Sequence, residues 1–142
     1  MIRQNIVFVE NRAGSLKKVT TILAEAGVNI YGFACFDTPE FAIFRMVCND
    51  PEKAEKVLSE RGYMNRITQA IVVDMKDQVG GLDELLKIMA DSNVSLDYIY
   101  TSFHRKDLRP VVILHSEDIT VTEGVLKNNG FKVFSAADEL EK

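Results

Sequence analysis

The chain is written twice, and that repeat limits its fold more than any other feature. Ile6-Val7-Phe8-Val9-Glu10-Asn11-Arg12-Ala13-Gly14-Ser15-Leu16 returns sixty-six residues later as Val72-Val73-Asp74-Met75-Lys76-Asp77-Gln78-Val79-Gly80-Gly81-Leu82. The same offset relates Ile22 to Ile88, Ala24 to Ala90, Val28 to Val94 and Ile30 to Leu96. It becomes sixty-eight for Asp50/Asp118, Glu55/Glu123, Val57/Val125, Leu58/Leu126, Gly62/Gly130 and Tyr63/Phe131. Stacked repeat arrays need about three copies or more, so two long copies predict one small folded unit used twice. The expected domains are residues 1–68 and 69–142. A unit of that size buries a thin core, so each half should pack on something beyond itself.

Within the first copy, Ile6 to Glu10 is a short β-rich run that ends in the turn sequence Asn11-Arg12-Ala13-Gly14. From Ser15 the period changes: Leu16, Val19, Ile22, Leu23 and Ala26 recur at helical spacing, and Gly27 supplies a left-handed residue to end the helix. Val28 to Phe36 is β-branched and aromatic, Asp37-Thr38-Pro39-Glu40 is a turn, and Phe41 to Cys48 returns as the partner strand. Asp50-Pro51 starts a second helix, with Asp as N-cap and Pro at the first helical position. A last strand follows from about Tyr63. The second copy repeats the order: strand 71–75, helix 81–91, strand 94–104, strand 110–115, helix 119–129 and strand 131–135. The fold class is therefore α+β: two ferredoxin-like βαββαβ units, antiparallel sheets with helices on one face. Residues 64–74 are expected to run almost continuously through the junction.

The first-copy strands are apolar on both faces, as in Ile6-Val7-Phe8-Val9 and Ile30 to Phe36. An antiparallel sheet with one wet face alternates instead. The helix-free face is therefore expected to be covered by the other unit or by a second chain, which makes a homodimer the expected assembly.

Charge excludes several function classes. Residues 1–68 hold 9 Lys/Arg against 8 Asp/Glu, net +1, and residues 69–142 hold 8 against 13, net −5. Neither half has the basic footprint that phosphate backbones require, so no nucleic-acid partner is expected. No apolar run approaches the roughly 20 residues of a membrane span, and no cationic leader precedes an apolar run at the N-terminus. The expected location is cytoplasmic, with no membrane partner. If Phe36 and Phe41 are neighbours, Cys35 and Cys48 lie roughly 20 Å apart along the hairpin, too far for a disulfide or a shared metal. His104 and His115 fail in the same way. No serine has a histidine base at useful spacing, and no glycine-rich phosphate loop occurs, so neither catalytic residues nor a cofactor are expected. Tyr98 and Tyr100 on one strand fit a packed face better than a pocket.

A strand, then Asn-x-x-Gly-x-Leu, a helix and Gly-Val-Asn-Ile make a layout that resembles the ACT domain family. Asn11-Arg12-Ala13-Gly14-Ser15-Leu16 and Gly27-Val28-Asn29-Ile30 carry the resemblance, once per half over nearly the whole chain. Ala13 stands where the family often has proline. The resemblance implies a regulatory module that binds an amino acid or related small metabolite at an interface between two such domains. The ligand would be held by the loop after the first strand and by the start of the second.

The chemistry suits that role. An amino acid offers a carboxylate that needs donors and an ammonium that needs acceptors. Backbone N–H groups at Gly14-Ser15 open a helix, whose positive end favours a carboxylate, and Gly14 permits close approach. Asn11 and Asn29, taken as lying at the ends of adjacent strands, each carry a donor and an acceptor; Leu16 and Ile30 would form apolar walls. The expected ligand-binding set is Asn11, Ala13, Gly14, Ser15, Leu16, Asn29 and Ile30. The structural alternative is that Asn11 and Gly14 merely make a turn. In the second copy the matching positions are Asp77, Val79, Gly80, Gly81, Leu82, Ser95 and Leu96, where both amides are lost and Asp77 would repel a carboxylate. That half reads as a degenerate copy. With no catalytic domain attached, the expected function is allosteric amino-acid sensing through interaction. A regulatory subunit of a biosynthetic enzyme such as acetolactate synthase is the alternative.

Overall fold

The computed structural model describes all residues from Met1 to Lys142. They form two compact units, Arg3–Thr68, and Gln69–Lys142 together with Met1–Ile2. The first contains β1 (Ile2–Glu10), α1 (Ser15–Glu25), β2 (Ile30–Asp37), β3 (Phe41–Cys48), α2 (Pro51–Glu60) and the opening residues of β4 (Asn65–Asp74). Its strands lie in the order β2-β3-β1-β4, the split βαβ layout. The second unit takes the rest of β4, then α3 (Gly81–Asp91), β5 (Leu96–Phe103), β6 (Pro110–Ser116) and α4 (Ile119–Asn128), with strand order β4-β6-β5. β4 is a single strand through the junction, as its uninterrupted run of residues predicts. No helix is long and apolar enough to cross a membrane.

Each unit buries its own core between helices and sheet. In the first, Val19 and Leu23 of α1 and Ala54 and Leu58 of α2 close on Val7, Val9, Phe44 and Met46. In the second, Leu85, Met89 and Leu126 close on Ile71, Val73, Val112 and Leu114. Fully burying each large aliphatic or aromatic side chain stabilises by about 1.5–3 kcal/mol. Helix starts follow the sequence signals: Asp50 Oδ1 accepts from Lys53 N at 3.1 Å, and Asp118 Oδ1 from Val121 N at 3.2 Å.

Four details depart from the sequence reading. β1 begins at Ile2 rather than Ile6, because Gln4 and Asn5 are buried with partners: Gln4 Nε2 donates to Thr68 Oγ1 at 3.3 Å, and Asn5 Nδ2 to the Pro51 carbonyl at 2.9 Å. A polar pair satisfied in this way fits inside a strand that composition alone would start later. The β2–β3 hairpin is two residues out of the expected register. Cys35 faces Phe44 and Phe36 faces Ile43, with an irregularity between Ile30 and Gly32, because Asp37 pairs with Ala42 and extends the hairpin beyond Phe36. A shift of two preserves which face each side chain occupies. Third, the face away from the helices, expected to be covered, is covered only in part: Ile6 and Val47 there are buried, whereas Phe36 is 56% exposed.

The fourth departure is the last strand of the second unit, expected over residues 131–135. It is reduced to one bridge, Val73 to Val133. Two ladder bonds remain, Asp74 N to the Lys132 carbonyl at 3.0 Å and Phe134 N to the Val72 carbonyl at 2.8 Å. The chain then leaves the sheet to bury Phe134 and Leu140. Phe134 meets the His104 ring edge-on at 5.1 Å, and Ala137–Leu140 form a 3-10 turn.

Candidate functional site

The turn after β1 is built as its sequence suggests. Gly14 sits at φ +82° as the N-cap of α1, a conformation that costs other residues about 1–2 kcal/mol. Ser15 N donates to the Arg12 carbonyl at 3.2 Å and Lys18 N to the Gly14 carbonyl at 3.2 Å. The Ser15 N–H therefore closes the turn rather than facing a ligand. The donors left without a partner in the turn are those of Gly14, Leu16 and Lys17. α1 has no acidic residue in its first turn, so its positive end is not neutralised from within. Asn11 and Ala13 are exposed, and Asn11 Nδ2 reaches the Thr38 carbonyl at 3.4 Å, the weak end of the hydrogen-bond range. Leu16 and Ile30 are half-buried against the first core.

Within the unit, Asn29 is not beside that loop. β3 lies between β1 and β2; Glu10 pairs with Phe41 at one end of it, and Ile30 pairs with Cys48 at the other. Seven strand steps of about 3.3 Å separate those ends by roughly 23 Å. The expectation that Asn11 and Asn29 stand on adjacent strand ends is thus corrected. The order β2-β3-β1 places them at opposite ends of the sheet. Asn29 is exposed and exchanges bonds with Asn49: its N–H donates to Asn49 Oδ1 at 2.9 Å, and its carbonyl accepts from Asn49 N at 3.1 Å.

Beside the Gly14 turn lies a cavity of about 320 Å³, walled by the end of β1, the first turn of α1 and the Arg61–Met64 segment after α2. Its ionic residues are Arg12, Lys18, Arg61 and Glu10, and Glu10 pairs with Arg12. Lys18, Arg61 and Tyr63 also line an adjoining groove along α1. The cavity thus sets the first turn of α1, the positive end of that helix, beside a surplus of cationic side chains, an environment suited to a carboxylate. Sequence reasoning missed Lys18 and Arg61 and gave Arg12 no role. Their signal was the repeat itself, which sets Lys18 against Glu84 and Arg61 against Asn129.

The equivalent place in the second unit is also a cavity, of about 440 Å³, but its charges differ. Asp74, Asp77 and Glu84 face Lys76, Arg109 and Lys132 there, and Lys76 Nζ holds Glu84 at 3.0 Å and 3.2 Å. Val79 is fully exposed and Leu82 is 44% exposed. Gly81 N donates to the Gln78 carbonyl at 3.0 Å, which again spends the first helical amide on the turn. Asp74 accepts from buried His104 at 2.8 Å.

Tyr100 is buried, and Tyr98 stacks on His115 at 5.3 Å, so this strand face packs as expected. Cys35 and Cys48 are both free thiols. Burial pushes each up from its ordinary value, which keeps them protonated and weakly nucleophilic.

The family profile of the ACT domain pair matches residues 1–141. The chain belongs to the ACT domain pair family. This ACT pair is similar in structure to a protein from Bacteroides thetaiotaomicron, at TM-score 0.89 and 24% identity, covering 99% of this chain and 96% of that one. It also resembles the ligand-free regulatory subunit of aspartate kinase from Thermus thermophilus, at TM-score 0.59 and 17% identity over 90% and 91% of the two chains. The Thermus flavus counterpart gives TM-score 0.56 and 19% identity over 88% of each. At these identities the likeness establishes the fold alone. No curated protein matches the chain by sequence. The ACT pair is of the regulatory class, with two ferredoxin-like units of antiparallel strands and four helices.

Proposed function

We propose that this ACT pair is an amino-acid sensor whose first domain takes the ligand carboxylate at the Gly14 turn. The observation that carries this reading is the cavity beside that turn, where the first turn of α1 meets Arg12, Lys18 and Arg61. Its second-domain counterpart has as many acidic as basic residues and a closed Lys76–Glu84 pair. Two unit charges about 4 Å apart near a surface interact by roughly 4 kcal/mol, so a carboxylate favours the first cavity. Asn29 lies at the far end of the sheet, so one domain cannot place Asn11 and Asn29 on the same ligand. A second copy of the chain supplies Asn29, which makes the working sensor a homodimer. Ligand then acts by favouring one assembly over another, within its differential affinity for the two. The second reading is a regulatory subunit of an amino-acid biosynthetic enzyme. The structural neighbours make aspartate kinase the partner to test, ahead of acetolactate synthase.

A thermal-shift screen against the twenty amino acids identifies the ligand, since ligand at about 100 times its Kd stabilises by roughly 2.7 kcal/mol. Lys18→Gln, Arg61→Gln and Asn29→Ala should each raise Kd about tenfold to a hundredfold, the worth of a hydrogen bond to a charged group. Unchanged affinity in all three variants places the ligand elsewhere.

A further inference from the structure

We propose a second site of different chemistry: the second domain binds a primary ammonium group, carried on a short aliphatic stem, between the end of α3 and the start of α4. A cavity of about 540 Å³ lies there. Its polar lining consists of serine and threonine hydroxyls, Asn93, Glu117 and Asp118, with no lysine or arginine. Two carboxylates and no cation favour a positive occupant over an anion.

The first domain shows what such a place holds. There Lys53 Nζ lies 4.0 Å from the position a Cβ on Gly27 would take, just beyond the carbonyl end of α1. A helix C-terminus attracts an ammonium in this way. By the repeat offsets Gly27 corresponds to Asn93 and Lys53 to Val121. The backbone agrees, since Asn93 keeps the left-handed turn at φ 56° where Gly27 has φ 75°. The second domain has therefore lost its built-in ammonium while keeping the place for it. α3 has no basic residue in its last turn to compensate.

Three further differences converge on the same cavity. Cys48, Asn49 and Ala54 are replaced by Ser116, Glu117 and Thr122. Cys48 donates to buried Asn5, whereas Ile71 in the place of Asn5 offers Ser116 no partner. Ser116 and Thr122 are buried, 2% and 1% exposed, and lie 2.6 Å apart, Oγ to Oγ1. Thr122 Oγ1 donates its single proton to the Asp118 carbonyl at 3.0 Å. The proton between the two hydroxyls therefore comes from Ser116, which leaves Ser116 Oγ with lone pairs alone. That acceptor, the Glu117 and Asp118 carboxylates and the end of α3 together suit an ammonium. Val94 and Val121 offer methyl groups to its stem. The positive end of α4 opposes this, but Asp118 answers it by accepting from Val121 N at 3.2 Å.

The test is titration of the isotope-labelled full chain with butylammonium chloride, followed by amide chemical shifts. Butan-1-ol and tetramethylammonium chloride at equal ionic strength serve as controls. Butylammonium should shift Asn93, Ser95, Ser116 and Val121 saturably, and neither control should. Val121→Lys restores the first domain's own ammonium and should abolish the response. Ser116→Ala should weaken it about tenfold, the loss of one acceptor to a charged group. Lys18→Gln should leave it intact, which separates this site from the amino-acid reading. The proposal fails if no saturable shift occurs, if butan-1-ol acts equally, or if folded Val121→Lys responds like the parent. Should Val121→Lys not fold, an unweakened response in Ser116→Ala overturns it alone.

Discussion

Ser15 and Gly81 hold the same place in the two repeats, yet only Ser15 has room for a side chain. A Cβ on Gly81 would stand 2.1 Å from the Lys76 carbonyl oxygen, a backbone atom that cannot swing aside. Gly81→Ala should therefore destabilise the second domain by more than about 1 kcal/mol, as overpacking commonly does. Gly124 gives the contrasting case: it lies in α4, and nothing stands within 4 Å of its Cβ position. Gly124→Ala should stabilise by about 0.4–1 kcal/mol through the unfolded chain. Urea midpoints of the two variants measure both effects. A stable Gly81→Ala protein would mean that the Lys76–Gly81 turn relaxes freely. At this scale the sequence shows which residues are glycine, and the aligned motif marks Gly14 and Gly80 as turn formers. It does not show that Lys76 closes over Gly81, because that contact depends on the path of the intervening loop. Arg12, Lys18 and Arg61 were hidden for a similar reason: α1 and the segment after α2 meet only in three dimensions.

At the scale of elements, most boundaries were legible where a strong local signal sits at the end. Asp50-Pro51 starts α2, and α3 spans the expected residues 81–91. The end of the second domain was not legible, because Phe131 to Ser135 repeats a strand sequence while the residues after it divert the chain. Glu139 clamps that diversion, accepting from Ser135 Oγ at 2.8 Å, Ser135 N at 3.0 Å and Ala136 N at 3.1 Å. The Ser135 hydroxyl first, then these amides and the Lys132 charge, hold its carboxyl below the usual range. A depressed carboxyl contributes stability that is present above its unfolded value of about 4.3 and lost as pH falls through the folded value. The C-terminal turn should therefore loosen in acid below that range. The Arg105 amide, which donates to the Leu140 carbonyl at 2.8 Å, reports the loosening by faster hydrogen exchange than its intrinsic acid dependence predicts. Glu139→Gln keeps an acceptor but cannot titrate there, so its exchange profile should lack this step. An identical step in both proteins would assign the transition to another group.

At the scale of the whole molecule, the two-copy architecture follows from the repeat, whereas the separation of Asn11 from Asn29 follows from strand order. Sequence matching finds both motifs but cannot place β3 between them. Under the proposed function, that separation ties ligand binding to assembly. β2 is an edge strand of its domain and carries Phe33 and Phe36, 61% and 56% exposed, together with exposed Cys35. An open edge with exposed aromatics invites pairing with another chain. If a second copy both covers this edge and brings Asn29 to the ligand, the chain of 16.0 kDa should sediment as a dimer. Added amino acid should then tighten the dimer by the same factor that dimerisation tightens ligand binding, since coupling is reciprocal. Phe33→Asp with Phe36→Asp should leave each domain folded, as neither ring lies in the buried core, but weaken both association and affinity. Analytical ultracentrifugation with and without ligand reads the first quantity, and calorimetry the second. A monomer that binds its amino acid at full affinity would sever the link, and Asn29 would then have no part in recognition.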